Sequence, residues 1–273
     1  PVGFWVANRP SQGVEDVDWA RESFGGFYAG QFEASRADAV AGSPADGSGA
    51  TPGSRAQLKV APDCAPWTEV TWDQAVAACQ AYDLACHLME DDEWTALAVW
   101  SMIQGVTVHG NTASGRDADD GTITFRLDPT CSDGGRALTG TGMAPGWLGQ
   151  VNRTTHTGTT AGVYDLNGNV MEWSATDWRY RGVQGASIGA ALPITSLSTD
   201  AGLRRYGVPG GTGDGLPDFG FDTLWDNSNV GPTAALRGGF WDYGTRAGIW
   251  SLWVNYACSG GALTTGFRPV LRY

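Results

Sequence analysis

No apolar run in this chain approaches the ~18 residues that a membrane-spanning helix needs, and no secretory signal pattern is recognisable in it. Basic residues are few, since 17 Lys and Arg stand against 29 Asp and Glu and leave a net charge of −12. Nucleic acids and anionic membranes are bound through basic patches, which this composition does not favour. We therefore expect neither a nucleic-acid partner nor insertion into a membrane.

Cysteine and histidine are scarce, and neither is spaced for a common metal or redox site. The cysteines form no C-x-x-C pair, which argues against zinc. Their odd number leaves at least one thiol unpaired or bonded to another chain, and buried free thiols are the favoured expectation. The histidines, His87, His109 and His156, are not at ligand spacing. Because G-x-S-x-G and phosphate-binding motifs are absent as well, we expect no catalytic residue and no cofactor. The five cysteines are Cys64, Cys79, Cys86, Cys131 and Cys258.

Glycine and tryptophan are abundant, with 40 and 13 residues in a chain of 273. This composition predicts a sizeable core and many turns, in one large domain or two small ones. The stretch 181–235 is rich in Gly, Pro, Asp and Ser and is too long for an ordinary connection. We expect it to fold as an insert beside the C-terminal region.

Two helices are predicted in the first half of the chain. Thr71 and Gln74 have the spacing of an N-cap and the third helical residue, so each side chain can accept a hydrogen bond from the other's backbone N–H. A second helix is predicted to begin near Glu90 or Asp91, because acidic residues suit a first helical turn. Gly105 is suited to the position just after its end. Local patterning alone therefore predicts an α+β fold.

Three separated motifs in the second half are the most informative part of the sequence. The first is GVYDLNGNVMEW at 162–173, in which an Asn-Gly-Asn turn separates two apolar stretches. The second is Leu-Arg-Gly-Gly-x-Trp at 236–241, and the third is Gly-Phe-Arg at 266–268. The turn is predicted to hold Glu172 and two indoles near the C-terminal motif.

Together these motifs resemble the formylglycine-generating-enzyme-like (sulfatase-modifying-factor) domain, a member of the C-type lectin fold. More narrowly, the chain resembles the variable proteins of diversity-generating retroelements, many of which are encoded by phages or prophages. The further segments that match this narrower group are residues 27–35, 87–94, 110–117 and 138–142. The resemblance implies an α+β C-type lectin fold of the formylglycine-generating-enzyme-like subtype, with a small irregular antiparallel sheet, two flanking helices and long loops. It extends over residues 25–273, is weakest over 181–235, and leaves residues 1–24 as an N-terminal lead-in.

In that family, the stretch that corresponds to about 237–268 here is the diversified binding region. Aromatic, small polar and charged residues alternate there with scaffold residues and leave no clean apolar face. Tyr, Trp, Arg and Asn are favoured at binding surfaces, so we expect nine side chains to face solvent and contact the ligand. They are Phe240, Asp242, Tyr243, Thr245, Arg246, Trp250, Trp253, Asn255 and Tyr256.

The two tryptophans in this set do not belong to the residue types that adenine-directed mutagenesis usually produces in the family. They derive from another adenine-rich codon or belong to the scaffold. We expect Trp253 at the surface and leave Trp250 open between surface and scaffold.

Enzymes of the wider family need groups that this chain does not supply. Its oxidases use a pair of cysteines, but Tyr243 and Gly248 stand at the corresponding positions, and Cys258 is the one thiol in that region. The resemblance also implies calcium near the Asn-Gly-Asn turn, with Asn169 and Glu172 as candidate ligands.

Two acidic runs offer other interpretations. Asp117, Asp119 and Asp120 resemble a set of calcium ligands, but their spacing is not that of an EF-hand. The run 90–93 resembles an acid–base pair, but the start of a helix explains it better.

The favoured function is therefore a non-enzymatic, receptor-binding protein that displays a diversified surface. The expected partner is a surface protein or glycan of a host cell or another microbe, and the expected location is a virion, as part of a phage tail, or a cell surface. Two alternatives stay open. One is a formylglycine-generating oxidase that has lost or altered its cysteines, and the other is an assembly protein whose C-terminal aromatics are buried at a subunit contact.

Overall fold

The computed structural model describes nine stretches of the chain. They are residues 4–7, 27–39, 58–140, 153–176, 192–197, 206–207, 209–212, 222–225 and 233–272. The helices within them are α1, Trp72–Tyr82, and α2, Asp91–Ile103. The strands are β1 Phe4–Ala7, β2 Phe27–Gly30, β3 Ser35–Arg36, β4 Leu58–Lys59, β5 Cys86–Leu88, β6 Met171–Trp173, β7 Leu192–Leu197, β8 Pro209–Thr212, β9 Thr223–Trp225, β10 Thr233–Gly238, β11 Gly248–Ala257, β12 Thr265–Phe267 and β13 Pro269–Arg272. This mixture of strands with two helices confirms the α+β prediction.

Both helices begin where their sequences predict, and the second also ends at the predicted glycine. At the start of α1, the Thr71 hydroxyl accepts from the N–H of Gln74 at 3.3 Å, and the Gln74 side chain accepts from the N–H of Thr71 at 2.9 Å. Helix α2 begins at Asp91 after a second capping box. Gly105 follows its end with a positive φ of 65°, as suits a helix C-terminus. In the described part of the chain, neither helix is long and apolar enough to cross a membrane.

A four-stranded antiparallel sheet joins the two ends of the described chain, in the order β1-β2-β13-β5. Strand β1 lies within the stretch 1–24, which the sequence assigned to a lead-in. Because β1 pairs with β2, this sheet extends into that stretch. The remaining residues of 1–24 lie outside the described part.

A seven-stranded sheet carries the motifs, in the order β12-β6-β10-β11-β9-β7-β8. The pairs β12–β6 and β11–β9 are parallel, and the others are antiparallel. The sheet is thus larger than the small antiparallel one expected and is mixed. Strands β7, β8 and β9 come from the insert 181–235 and extend the sheet beyond β11, so these parts of the insert lie beside the C-terminal region. Residues 181–191, 198–205, 208, 213–221 and 226–232 lie outside the described part.

The core consists mainly of two apolar clusters on opposite sides of β10. Ala235 belongs to the cluster that contains Trp94 and Leu97 of α2, whereas Ala234 and Leu236 belong to the cluster that contains α1 residues. This alternation follows from the two-residue period of a strand. The seven-stranded sheet is therefore covered on both faces at β10.

Candidate functional site

The Asn-Gly-Asn turn is built as a rigid junction. Gly168 has a φ of 71°, and a Cβ there would lie 2.2 Å from the carbonyl oxygen of Asn111, so no other residue fits. The side chain of Asn169 is fully buried; its Oδ1 accepts from the N–H of Ala137 at 2.7 Å, and its Nδ2 donates to Glu33 at 2.7 Å. The turn thereby connects three segments that are far apart in sequence.

A buried ion pair joins the first and third motifs. The guanidinium of Arg268 donates from Nε to Oε2 of Glu172 at 2.9 Å and from Nη2 to the other carboxylate oxygen. Its remaining donors reach the carbonyl oxygens of Gly30 at 2.8 Å and Tyr164 at 2.9 Å. Four of the five N–H donors of this arginine are therefore bonded to acceptors within the protein.

The candidate calcium ligands are already engaged with these protein groups. Both carboxylate oxygens of Glu172 accept from Arg268, and Oδ1 of Asn169 accepts from a backbone N–H. Burial raises the pKa of nearby Glu33 well above its usual value, and the carboxylates of Asp165 and Glu172 raise it further. Among the described residues, no group of three or more His, Cys, Asp or Glu side chains is placed to hold a metal ion.

The two acidic runs act as structural groups. Asp91, at the start of α2, accepts from Nε of Arg237 at 2.5 Å, and both side chains are buried. Burial acts to raise the pKa of Asp117, but hydrogen bonds from His109 and from the backbone of Gly110 and Asp120 outweigh it and lower the pKa. Sequence reasoning missed the Asp91–Arg237 pair because its members are 146 residues apart.

Strand β11 decides which predicted contact residues can reach a ligand. Leu252 pairs with Arg237 and Trp253 with Leu236, but Tyr256 pairs with Ala234, so β11 carries one extra residue between Trp253 and Tyr256. This is a β-bulge, and it returns Tyr256 to the same side of the strand as Trp253. The two rings meet edge to face with their centroids 5.9 Å apart.

These rings belong to a continuous half-buried cluster that we term the aromatic band: Phe240, Tyr243, Trp253, Tyr256 and Trp225. Successive ring centroids lie 5.1 Å apart for Phe240 and Tyr243, 6.3 Å for Tyr243 and Trp253, and 5.2 Å for Trp253 and Trp225. The rings of Phe240, Trp253 and Tyr256 pack on the core cluster beneath them. Each ring of the band therefore has part of its surface fixed by the fold and part open to solvent.

Three of the predicted contact residues form an exposed polar rim beside the band. They are Asp242, Thr245 and Arg246. The short 3-10 helix Gly244–Arg246 places the last two on the surface. The side chain of Asn255 lies outside the described part of the structure. Four predicted aromatic residues are thus half-buried in one cluster, and three polar ones are exposed next to them.

Trp250 corrects the set of nine, because it is a core residue with 2% exposure. The alternation of β11 puts Trp250 on the same side as Leu252 and Val254, and all three belong to the cluster around α2. A side chain with this burial cannot contact a ligand. Within β11 alone, apolar residues stand at every second position, 250, 252 and 254. This two-residue period is the sequence signal that marks Trp250 as a scaffold residue.

Trp225 is the member of the band that sequence reasoning missed. It lies in β9 of the insert, directly opposite Trp253 in the parallel pair β9–β11. The insert is the stretch that matches the family motifs least, and it offers no pattern around this residue that marks a surface position. Only the strand pairing brings it to the band.

The cysteines and histidines occupy separate structural positions. All five cysteines are free thiols, and Cys258 is the only half-buried one. His87 lies 2.8 Å from Glu93, His109 lies 3.3 Å from Asp117, and Nδ1 of His156 accepts from the N–H of Val163 at 2.9 Å. Burial lowers the pKa of His156 to about 3, so this imidazole is neutral.

Neither a protein-family model nor a curated protein matches the chain. Among solved structures, the chain is similar to the Major Tropism Determinant I1 Variant, with 16% identity and a TM-score of 0.43 over 99% of this chain and 55% of that one. The Major Tropism Determinant U1 Variant shows 15% identity and a TM-score of 0.42 over 99% of this chain and 55% of that one. Treponema denticola variable protein 1 shows 17% identity and a TM-score of 0.41 over 92% of this chain and 86% of that one.

The chain thus spans about half the length of the Major Tropism Determinant chains, 55% in each case. Because these identities and TM-scores are low, the function has to follow from the residues described above.

Proposed function

We propose that this chain is a non-enzymatic receptor-binding protein that binds a surface ligand through the aromatic band and its polar rim. The observation that carries the proposal is the placement of Phe240, Tyr243, Trp253 and Tyr256 in one half-exposed cluster. Packing on the core holds part of this cluster rigid, so little side-chain entropy is lost on binding. The motifs around Glu172 and Arg268 form the rigid part of the fold that supports this cluster.

The magnitude of the interaction is sufficient for specific binding. A well-placed aromatic or arginine anchor contributes on the order of 2 kcal/mol to binding. Four or five such anchors support micromolar or better affinity after the costs of association are subtracted. The exposed rim residues Asp242, Thr245 and Arg246 surround the rings with polar groups, which is the arrangement of a protein-binding hot spot.

The resemblance of the motifs supports a setting for this activity. The partner is a protein or glycan on the surface of a host cell or another microbe, and the protein acts on a virion, as part of a phage tail, or on a cell surface. The stretch of about 237–268 is the diversified region. Genomic DNA tests this directly: we expect a near-identical template repeat and a reverse transcriptase beside the gene, and their absence would remove diversification from the proposal.

The residues at the site do not support the oxidase alternative. Such chemistry needs two thiols that meet, whereas Tyr243 and Gly248 stand at the matching positions and Cys258 is a single free thiol. The open face of the band offers aromatic surface instead of a nucleophile or a metal-ligating pair.

Binding is tested by applying the labelled protein to a panel of intact bacterial strains and to arrays of defined glycans and purified ectodomains. Arg246→Ala and Asp242→Ala change exposed rim residues and are expected to weaken binding without altering the fold. Leu84→Ala is the matched control, because Leu84 is fully exposed between α1 and β5, away from the band. If wild-type protein binds and both rim variants bind equally well, the surface has been assigned to the wrong residues.

A further inference from the structure

We infer that the insert supplies a constant contact residue, Trp225, to the binding surface, and that the partner which covers this surface is a protein. This inference rests on the proposed function, but it names a residue outside the stretch 237–268. It therefore describes a part of the surface that stays unchanged when that stretch varies.

The position of Trp225 follows from the pairing of β9 with β11. The register places Trp225 opposite Trp253, and the two indole rings pack with centroids 5.2 Å apart and an interplanar angle of 48°. Both side chains are half-buried. A ligand that covers Trp253 over the area of an ordinary interface therefore also reaches the adjoining ring of Trp225.

The residues that precede Trp225 fix β9 in place. Asp222 is buried and accepts from the backbone N–H of Trp250 at 2.6 Å. Its carboxylate fills the space beside Gly248, where a Cβ would lie 1.7 Å from Oδ1. Thr223 donates to the carbonyl oxygen of Arg246 at 3.2 Å, and Leu224 packs in the core. With Asp222, Thr223 and Leu224 engaged inward, Trp225 is the residue of β9 that remains half-open.

The chemistry of the band favours a protein over a glycan. The indole N–H of Trp225 and the hydroxyl of Tyr243 are both buried, so these rings present carbon surface outward. A glycan is rich in hydroxyl groups and is held by several convergent hydrogen-bonding groups. A band of ring carbon with charged residues of both signs at its rim, Asp242 and Arg246, fits apolar side chains surrounded by polar ones, as on a protein surface.

The test uses a phage-displayed library of random linear peptides as the probe, with the same glycan array as a second arm. Peptides are selected on the intact wild-type chain, and their affinities are then measured for Trp225→Ala, Trp225→Phe, Trp253→Ala and the control Leu84→Ala. We expect a loss of about tenfold or more for the two alanine variants, partial recovery in Trp225→Phe, and no change in the control.

A measurement on the wild-type chain keeps the inference testable if Trp225→Ala does not fold. Oxidative footprinting with mass spectrometry reports the accessibility of each tryptophan with and without a selected peptide. Trp225 and Trp253 are expected to become protected together. Protection of Trp253 with full oxidation of Trp225 would overturn the role of the insert.

The outcomes separate this inference from the proposed function. If Trp253→Ala abolishes peptide binding and Trp225→Ala does not, the surface is correct but Trp225 is no part of it. If the chain binds array glycans and selects no peptide, the protein partner is wrong. If it binds neither, or if the peptides bind equally to all band variants, the proposed function fails as well.

Discussion

At the scale of single residues, Arg268 connects more of the molecule than its position near the end of the chain suggests. It forms its ion pair with Glu172 and also donates to the carbonyl oxygens of Gly30 and Tyr164. These acceptors lie in β6, in β2 and in the segment before the Asn-Gly-Asn turn. A buried charge of this kind is costly unless it is fully paired, so its partners have to stay where they are.

Breaking this pair is therefore expected to be much more costly than breaking one at the surface. Arg268→Met leaves Glu172 buried without its partner and should lower the free energy of unfolding by about 3–5 kcal/mol. Arg36→Met is the control, because Arg36 pairs with Asp38 at the surface, where the two side chains are 29% and 55% exposed. Such a pair should contribute about 0–1 kcal/mol to the free energy of unfolding. Urea unfolding of both variants measures the difference. Equal losses would show that the Glu172 carboxylate is solvated or otherwise paired.

Trp250 and Thr245 provide a second contrast, within the binding segment itself. Trp250→Ala removes a fully packed indole from the core and should cost about 3–5 kcal/mol of unfolding free energy. Thr245→Ala changes an exposed residue and should stay within about 0.5 kcal/mol. Thermal unfolding is a sufficient measurement. If Trp250→Ala changed the free energy of unfolding as little as Thr245→Ala, Trp250 would have to be a surface residue.

At the scale of secondary-structure elements, the bulge in β11 has a functional consequence. Trp253 and Tyr256 are three residues apart, so strict alternation without a bulge would put their side chains on opposite faces of the strand. The bulge is the device that aligns both rings with the rest of the aromatic band.

Deletion of Asn255 tests this role. The deletion removes the extra residue and leaves the tyrosine two residues after Trp253, so regular alternation keeps both rings on the same face of β11. We therefore expect the edge-to-face contact with Trp253, peptide binding and far-UV circular dichroism all to be retained. Insertion of one glycine into the loop after Tyr256 is the control for a change in chain length. Loss of peptide binding after the deletion, with the control unaffected, would show that the bulged backbone does more than bring the two rings to one face.

How much of this could be predicted depends on how local each feature is. The capping residues Thr71 and Gln74 and the turn at Gly168 were predictable, because their contacts lie within a few residues or follow from backbone conformation. The pair of Asp91 with Arg237 was not, because nothing local marks two residues 146 positions apart as partners. Trp225 was missed for the same reason. It lies against Trp253 because β9 and β11 pair in parallel, and the hydrophobic pattern of a strand does not show which other strand it pairs with.

At the scale of the whole molecule, the net charge of −12 coexists with buried carboxyl groups whose pKa values are raised. Burial raises the pKa of Asp222 well above its usual value, against the opposing effect of the hydrogen bond from the backbone N–H of Trp250. Burial does the same to Glu33. Both groups therefore bind a proton more tightly in the folded chain than in the unfolded one.

The sign of the pH dependence follows from this difference. An acid with a raised folded pKa contributes stability that is complete below its unfolded value of about 4 and is lost as the pH rises through the folded pKa. His156 acts in the opposite direction: its folded pKa of about 3 costs stability as the pH falls below its usual value of 6.5. The two carboxyl groups therefore act to lower the free energy of unfolding as the pH rises from about 4 through their folded pKa values, by up to about 1.4 kcal/mol per pH unit for each group.

Asp222→Asn isolates one of these two contributions. The amide oxygen of asparagine can still accept from the N–H of Trp250, and the side chain carries no ionisable group. We therefore expect urea unfolding at a series of pH values above about 4 to show the variant gaining stability relative to the wild type as the pH rises, with the greatest relative stabilisation at the highest pH. Asp38→Asn, at an exposed position in the same chain, should leave the slope unchanged. Parallel slopes for wild type and Asp222→Asn would show that the Asp222 carboxyl ionises in the folded protein, and that β9 is held against β11 by a carboxylate.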